Sequence, residues 1–300
     1  MSTHQNIQNF LTPFTAETTP GAAAKIADFR EHLRPGTAVY ITFLPGSDFN
    51  ATVAVAARLR REGFIPVPHF AARSIADRKS FNEYLARVCG EAGVDWVLCI
   101  AGAVDKPAGA YTDSTQLLAT GLFDQHGIRK IAVAGHPEGS PDMSDEAIMD
   151  ALRWKNAFAE RTAAELYIVT QFVFEAAPVI AWDRMLQAAG SRLPVHIGLP
   201  GLATLKTLLL HAKACGIGPS IKFLTKQAGK ITKLLAVTAP DKLVRELADY
   251  AAGNTASGIQ GAHLYPLGGL RRSAAWGYAV ADGKFTLNGS GGFDLSAALA

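Results

Sequence analysis

KIAVAGHPEGSPD, residues 130–142, joins a strand to a turn too elaborate for a plain connector. Ile131, Ala132, Val133, Ala134 and Gly135 are small or apolar, the composition of a strand buried on both faces. His136, Pro137, Glu138, Gly139, Ser140, Pro141 and Asp142 follow at once. Two prolines stiffen that stretch, and two glycines let backbone approach closely. A simple reversal needs only one or two such residues. The excess predicts that this strand end holds something.

Runs of the same kind recur on both sides: PFTAE (13–17), AVYITF (38–43), FIPVPHF (64–70) and DWVLCIAG (95–102) before it, then LYIVTQFVF (166–174), PVHIGLPG (194–201) and GAHLYPL (261–267). Between them, segments such as AAAKIADFREHL, NATVAVAARLRREG and SFNEYLARVCGEAG repeat apolar residues every three to four positions. Eight strands, each followed by a helix, predict an α/β fold, a (β/α)8 TIM barrel. A doubly wound sheet is the rival, but it uses fewer strands, and no G-x-G-x-x-G follows the first one. Residues 1–300 read as a single barrel domain with an N-terminal arm (1–12) and a C-terminal tail (283–300). Between strands seven and eight there is room for extra helices at 202–215, 219–228 and 240–253.

The chain is 49% hydrophobic and 18% charged, an ordinary globular balance. Its 29 Lys and Arg are spread along the sequence at a net charge of +3. A nucleic-acid binder would show a basic stripe or aromatic–basic interleaving, so none is expected. Cys89, Cys99 and Cys215 form neither a disulfide framework nor a zinc spacing; reduced thiols of a cytoplasmic protein are expected. The polar opening MSTHQNIQNF lacks an apolar h-region, so no signal peptide is expected. The most apolar stretch, LYIVTQFVFEAAPVIAW, is broken by Gln171, Glu175 and Pro178, so no membrane span is expected.

In a barrel the chemistry sits at the C-terminal ends of the strands. Read in order, those ends are Glu17, Thr42, His69, Asp105 just past the fourth strand, His136 with Glu138, Gln171, the Pro200–Gly201 turn, and Tyr265. One polar strand end is usually a cap, whereas a whole row on one rim points to a site. Metal hydrolysis fits poorly, because His69, His136, His263, Glu17 and Glu138 include no histidine pair at i, i+2 or i, i+4. Lys106, the nearest Schiff-base candidate, lies in a Pro/Gly loop. Gly268 and Gly269 with Arg271 or Arg272 could cradle a phosphate, but read more simply as a helix start with two solvated arginines.

Together, AVAGHPEGSPD, IVTQFVF, GLPGLATLK and AHLYPLGG resemble, in order, signatures of the methylenetetrahydrofolate reductase family. The resemblance spans roughly residues 14–276. It implies a flavin-dependent oxidoreductase that interconverts 5,10-methylene- and 5-methyltetrahydrofolate, with FAD as cofactor. It carries the catalytic glutamate onto Glu17 in TAETTP, and flavin contacts onto Thr42, His69, Gly102, Ala134 and His136. Lys155 in LRWK matches a basic residue near the diphosphate, Gln171 the glutamine that hydrogen-bonds the pterin, and Tyr265 a residue on the substrate side. The residue types suit that chemistry. A carboxylic acid can protonate the bridging nitrogen as methylene-folate opens, and reduced flavin wants donors around its pyrimidine ring.

Two departures stand out. The family ends strand four with Arg-Gly-Asp or Gly-Gly-Asp, where this chain reads Ala101-Gly102-Ala103-Val104-Asp105. One register puts Ala103 in place of the acid; the other, set by the following KPAG, gives the role to Asp105. The aromatic that stacks on folate after strand seven has no match among the leucines of LATLKTLLL. Both tell against NADH or NADPH as the electron partner and leave room for the direction toward methylene-folate. The alternative is a non-redox barrel that binds a folate- or corrinoid-linked methyl group, and a weaker one is a phosphate-binding lyase of the same fold.

Overall fold

Parallel strands cannot be joined by a hairpin, so each must be followed by a crossover, and the helical segments supply it. The computed structural model describes residues 1–141, 143–214 and 237–299, together with Ile221, Leu224, Thr225 and Leu235. Helix α1 (Thr3–Phe10) precedes β1 (Thr15–Thr18), β2 (Ala38–Ile41), β3 (Ile65–Ala71), β4 (Trp96–Ile100), β5 (Lys130–Gly135), β6 (Glu165–Phe172) and β7 (Val195–Pro200). A short ladder of β8 (Ala203–Thr204) and β9 (Val237–Thr238) comes before β10 (Ile259–Tyr265). The eight long strands close into a barrel in the order β1-β10-β7-β6-β5-β4-β3-β2, the fold that the alternation predicts.

The crossovers are α2 (Pro20–Ala23), α3 (Phe49–Arg61), α4 (Arg78–Ala92), α5 (Ser114–Ala119), α6 (Leu122–Gln125), α7 (Asp145–Ala159) and α8 (Ala176–Ala188). Helices α9 (Leu205–Ala214) and α10 (Asp241–Gly253) lie between β7 and β10, and α11 (Leu270–Ala281) follows β10. They occupy the segments expected at 202–215 and 240–253. The helix expected at 219–228 lies outside the described residues, except for Ile221, Leu224 and Thr225. Among the described residues no helix is long and apolar enough to cross a membrane.

The chain groups into two compact units, one of residues 15–134 with 153–168, the other of 1–14 with 135–152 and 169 onward. In the first, β1 to β5 pair in sequence, all parallel. Several of its helices begin at side-chain caps. Asp48 accepts from the Asn50 N–H at α3, and reciprocal capping boxes open α4 (Asp77 with Ser80) and α5 (Asp113 with Gln116). Helix α4 ends at Gly93, whose φ of 57° is left-handed.

In the second unit β7 pairs with β10 along its whole length. Asp183 on α8 is fully buried. Its Oδ2 accepts from Tyr250 Oη (2.8 Å) and Gln187 Nε2 (2.6 Å), and its Oδ1 from the Gly258 N–H (3.1 Å). One carboxyl group thereby ties α8 to α10 and to the entry of β10.

Both terminal segments, 1–12 and 283–300, carry secondary structure. Ile7, Phe10 and Leu11 are buried from α1, and Asn6 Nδ2 donates to Asp249 Oδ1 on α10 at 2.9 Å. The polar composition of 1–12 hides this, because only positions i, i+3 and i+4 face inward. Within 283–300, β11 (Phe285–Leu287) and β12 (Phe293–Leu295) form an antiparallel hairpin. Its turn is closed by Asn288 Oδ1, which accepts from the Ser290 and Gly292 N–H groups. The Phe293 ring lies tilted 4.8 Å from Phe285 and stacks 6.3 Å from Trp276, which anchors the hairpin.

Candidate active site

In parallel strands, paired residues share a face and alternate residues return to it. Glu17 pairs with Tyr40 and Tyr40 with Val67. Thr42 is two residues beyond Tyr40, and His69 two beyond Val67, so Glu17, Thr42 and His69 stand on one face at the C-terminal ends of three neighbouring strands. They meet. Thr42 Oγ1 donates to Glu17 Oε1 at 2.5 Å, and His69 Nε2 lies 3.8 Å from Glu17 Oε2. The pair is largely shielded, with side-chain exposures of 5% for His69 and 15% for Glu17. Tyr84 on α4 holds the strand from behind, its Oη donating to the His69 carbonyl (3.2 Å).

Beneath this cluster are two residues that the strand-end reading does not find. Tyr40 and Tyr167 are buried and share a short hydrogen bond through their hydroxyls. The Tyr40 ring stands edge-on to His69, with centroids 6.1 Å apart. Burial pushes the Tyr167 phenol well above its ordinary pKa, while its bond to Tyr40 pulls the other way. The Tyr40–Tyr167 hydroxyl pair is a buried polar point close to His69. Alternation places Tyr40 on the same face as Thr42, two residues earlier, but gives no sign of its partner Tyr167.

At the end of β4 the chain turns at Gly102, whose φ is 91° and whose missing Cβ would meet Ala71 Cβ at 3.0 Å. A side chain there would both strain the backbone and crowd β3. The following loop runs over the end of β3: Arg73 N donates to the Ala101 carbonyl and Ala108 N to the Arg73 carbonyl, each at 2.8 Å. Ala103 and Asp105 are both exposed on this loop.

Lys155 on α7 is only 4% exposed, and its Nζ donates to the Ala134 carbonyl at 3.3 Å. The resemblance assigns it to a diphosphate; the structure sets it behind the end of β5. Burial lowers its pKa from the ordinary 10.5, opposed by Cys99 and Asp113 nearby. Between that lowered value and 10.5 the unfolded chain keeps a proton that the folded chain has released, so stability rises with pH there. Below that window both states are charged, and the folded state carries the full cost of burial. Lys155→Met should flatten this alkaline rise, read from urea midpoints along the pH series. Parallel profiles for variant and wild type would mean that Lys155 is solvated in solution.

In the other unit, the turn after β5 is closed by the Gly139 N–H donating to the His136 carbonyl (3.1 Å), with Gly139 at φ 80°. His136 is half-buried there, and Asp142 lies outside the described residues. Gln171 is half-buried near the end of β6, and Tyr265 at the end of β10 donates through Oη to the Thr170 carbonyl (2.9 Å). A cavity of about 710 Å³ opens in this same unit, lined among others by Phe174, Pro200, Leu205, Leu208, Lys242 and Glu246. A Cβ on Gly268 would run into the Leu202 carbonyl oxygen. Arg271 and Arg272 are exposed, as a simple helix start requires.

No protein-family model matches the chain. Among solved structures it is similar to a dihydropteroate synthase (FolP) from Thermus thermophilus, with a TM-score of 0.42 and 12% identity, covering 89% of this chain and 92% of that one. It is also similar to the tryptophan synthase A-subunit of the hyperthermophile Pyrococcus furiosus, with a TM-score of 0.38 and 15% identity, over 80% of this chain and 98% of that one. Likenesses this distant carry no argument about chemistry.

Proposed function

We propose that this chain is a flavin-dependent oxidoreductase that interconverts 5,10-methylenetetrahydrofolate and 5-methyltetrahydrofolate, with FAD as its cofactor. The observation that carries the proposal is the convergence of Glu17, Thr42 and His69 on one face at the ends of three neighbouring strands. An acid, a hydroxyl and an imidazole in one shielded cluster are what the two partners need.

The donor set fits the flavin ring: His69 can donate toward its pyrimidine edge, Thr42 Oγ1, whose proton goes to Glu17, keeps lone pairs for a ring N–H, and Gly102 presents backbone without a side chain. Lys155 does not present its ammonium to solvent; in this proposal it holds the Ala134 carbonyl and with it the end of β5. When bound in its reduced form, FAD supplies the hydride. Glu17 holds the proton that the bridging nitrogen takes as its bond to the methylene carbon opens, and recovers it in the reverse direction. Thr42 orients that carboxyl group, and the Tyr40 ring packs edge-on against His69 beside it. Gln171 carries a donor and an acceptor on one amide and matches a pterin edge. The altered strand-four motif at Ala101–Asp105 and the missing aromatic after strand seven make the nicotinamide-dependent direction the less favoured one in this reading.

An absorbance spectrum of the purified protein tests this directly. The expected protein is yellow, and its flavin band bleaches when 5-methyltetrahydrofolate is added without oxygen. Colourless protein that also fails to take up added FAD would sink both cofactor and reaction, and favour the non-redox methyl-binding barrel.

A further inference from the structure

We infer that Tyr265 is a positioning residue for Gln171, acting through Thr170, and not itself a contact of the substrate. The inference rests on the proposed function only in taking Gln171 as the substrate-facing group.

A tyrosine hydroxyl has one proton to donate, and Tyr265 commits it to the Thr170 carbonyl at 2.9 Å. Thr170 is fully buried. Its Oγ1 donates to the Gln171 carbonyl (2.8 Å) and accepts from the Gly198 N–H (2.8 Å). The carbonyls on both sides of the Gln171 Cα are thus held, one by Tyr265 and the other by Thr170. Gly198 completes the clamp from β7. A Cβ there would come within 2.5 Å of the Gln171 carbonyl oxygen and 2.6 Å of the Thr170 one, so only glycine allows the approach. Just beyond, the Val173 N–H donates to the Gly198 carbonyl at 3.1 Å.

With both flanking peptide planes fixed, the Cα–Cβ direction of Gln171 is fixed as well. The Tyr265 ring is itself wedged edge-on against His263 (4.7 Å) and Phe172 (5.5 Å), so its hydroxyl arrives from a packed ring. A site group held this way needs no search for its bound orientation, which is how supporting contacts raise affinity.

Tyr265→Phe removes only the hydroxyl and keeps the ring packing. It should raise the Kd for 5-methyltetrahydrofolate about two- to tenfold, the range for one neutral hydrogen bond. In a Gln171→Ala background the same change should add nothing, because the residue being positioned is gone. Thr170→Val should copy Tyr265→Phe, and Thr170→Ser, which keeps Oγ, should restore wild-type binding. Full additivity of Tyr265→Phe and Gln171→Ala would overturn the inference by showing that Tyr265 acts independently. A second readout needs no ligand: the side-chain amide signals of Gln171 in ¹⁵N-glutamine-labelled protein should shift in Tyr265→Phe and Thr170→Val, but not in Thr170→Ser. Unmoved signals overturn the inference even if the wild type binds folate. Signals that shift in those variants, with a wild type that binds no folate, would uphold it while refuting the proposed function.

Discussion

Glu17→Gln is expected to lower folate turnover by about 10²- to 10⁴-fold, the usual contribution of a positioned general acid, while flavin content stays at the wild-type level. The geometry explains why both halves should hold. Gln keeps a carbonyl oxygen for the Thr42 hydroxyl, which donates to Glu17 Oε1 at 2.5 Å, so the cluster should stay packed. What it cannot do is hold an exchangeable acidic proton beside the bridging nitrogen. Steady-state rates in both directions, with the flavin band measured on the same samples, check the expectation. A variant that turns over methylenetetrahydrofolate at the wild-type rate would reduce Glu17 to a strand-end cap.

The largest stability loss is expected at Asp183. Its fully buried carboxyl group accepts from Tyr250, Gln187 and the Gly258 N–H. Asp183→Ala takes the carboxylate away from all three donors, of which Gln187 Nε2 keeps Tyr250 Oη at 3.2 Å, and opens a small void. Stranded donors cost about 1–3 kcal/mol each, and neighbouring losses do not simply add. The expected destabilisation is about 3–5 kcal/mol in urea unfolding. Asp183→Asn, which keeps one oxygen but turns an NH₂ toward the remaining donors, should cost less than alanine. Equal losses for the two variants would show that the site is sensitive to shape and not to hydrogen bonding. Turnover per folded molecule should be unchanged in both, since the network sits at the entry of β10 and not at the strand ends.

The strand-end residues were legible for a specific reason. A barrel sends its chemistry to one rim, and the period-two alternation of a strand says which residues share a face. Glu17, Thr42 and His69 could be named from that alone. Tyr40 and Tyr167 could not, because each looks like an ordinary strand residue, and 127 positions separate the two hydroxyls that meet. Lys155 was legible as a basic residue on a crossover helix, but not as a buried one donating to Ala134. Tyr265 was legible as a strand end, but not as a donor to Thr170.

The hairpin near the C-terminus sits between these cases. FTLNGSGGFDL carries its turn residues openly, yet two strands of three residues become stable only when Phe285 and Phe293 find each other and Trp276.

By itself, then, the sequence determined the architecture: short β-branched runs alternating with amphipathic segments leave parallel strands with helical crossovers, and eight of them close on themselves. That pattern is local, written in neighbours one to four residues apart, so it can be read without coordinates. Which side chains touch was decided only in the tertiary structure. Contacts such as Glu17 with Thr42 or Tyr265 with Thr170 depend on ladder register and on how far each strand rises past the next. A shift of one residue would turn each of those side chains to the opposite face.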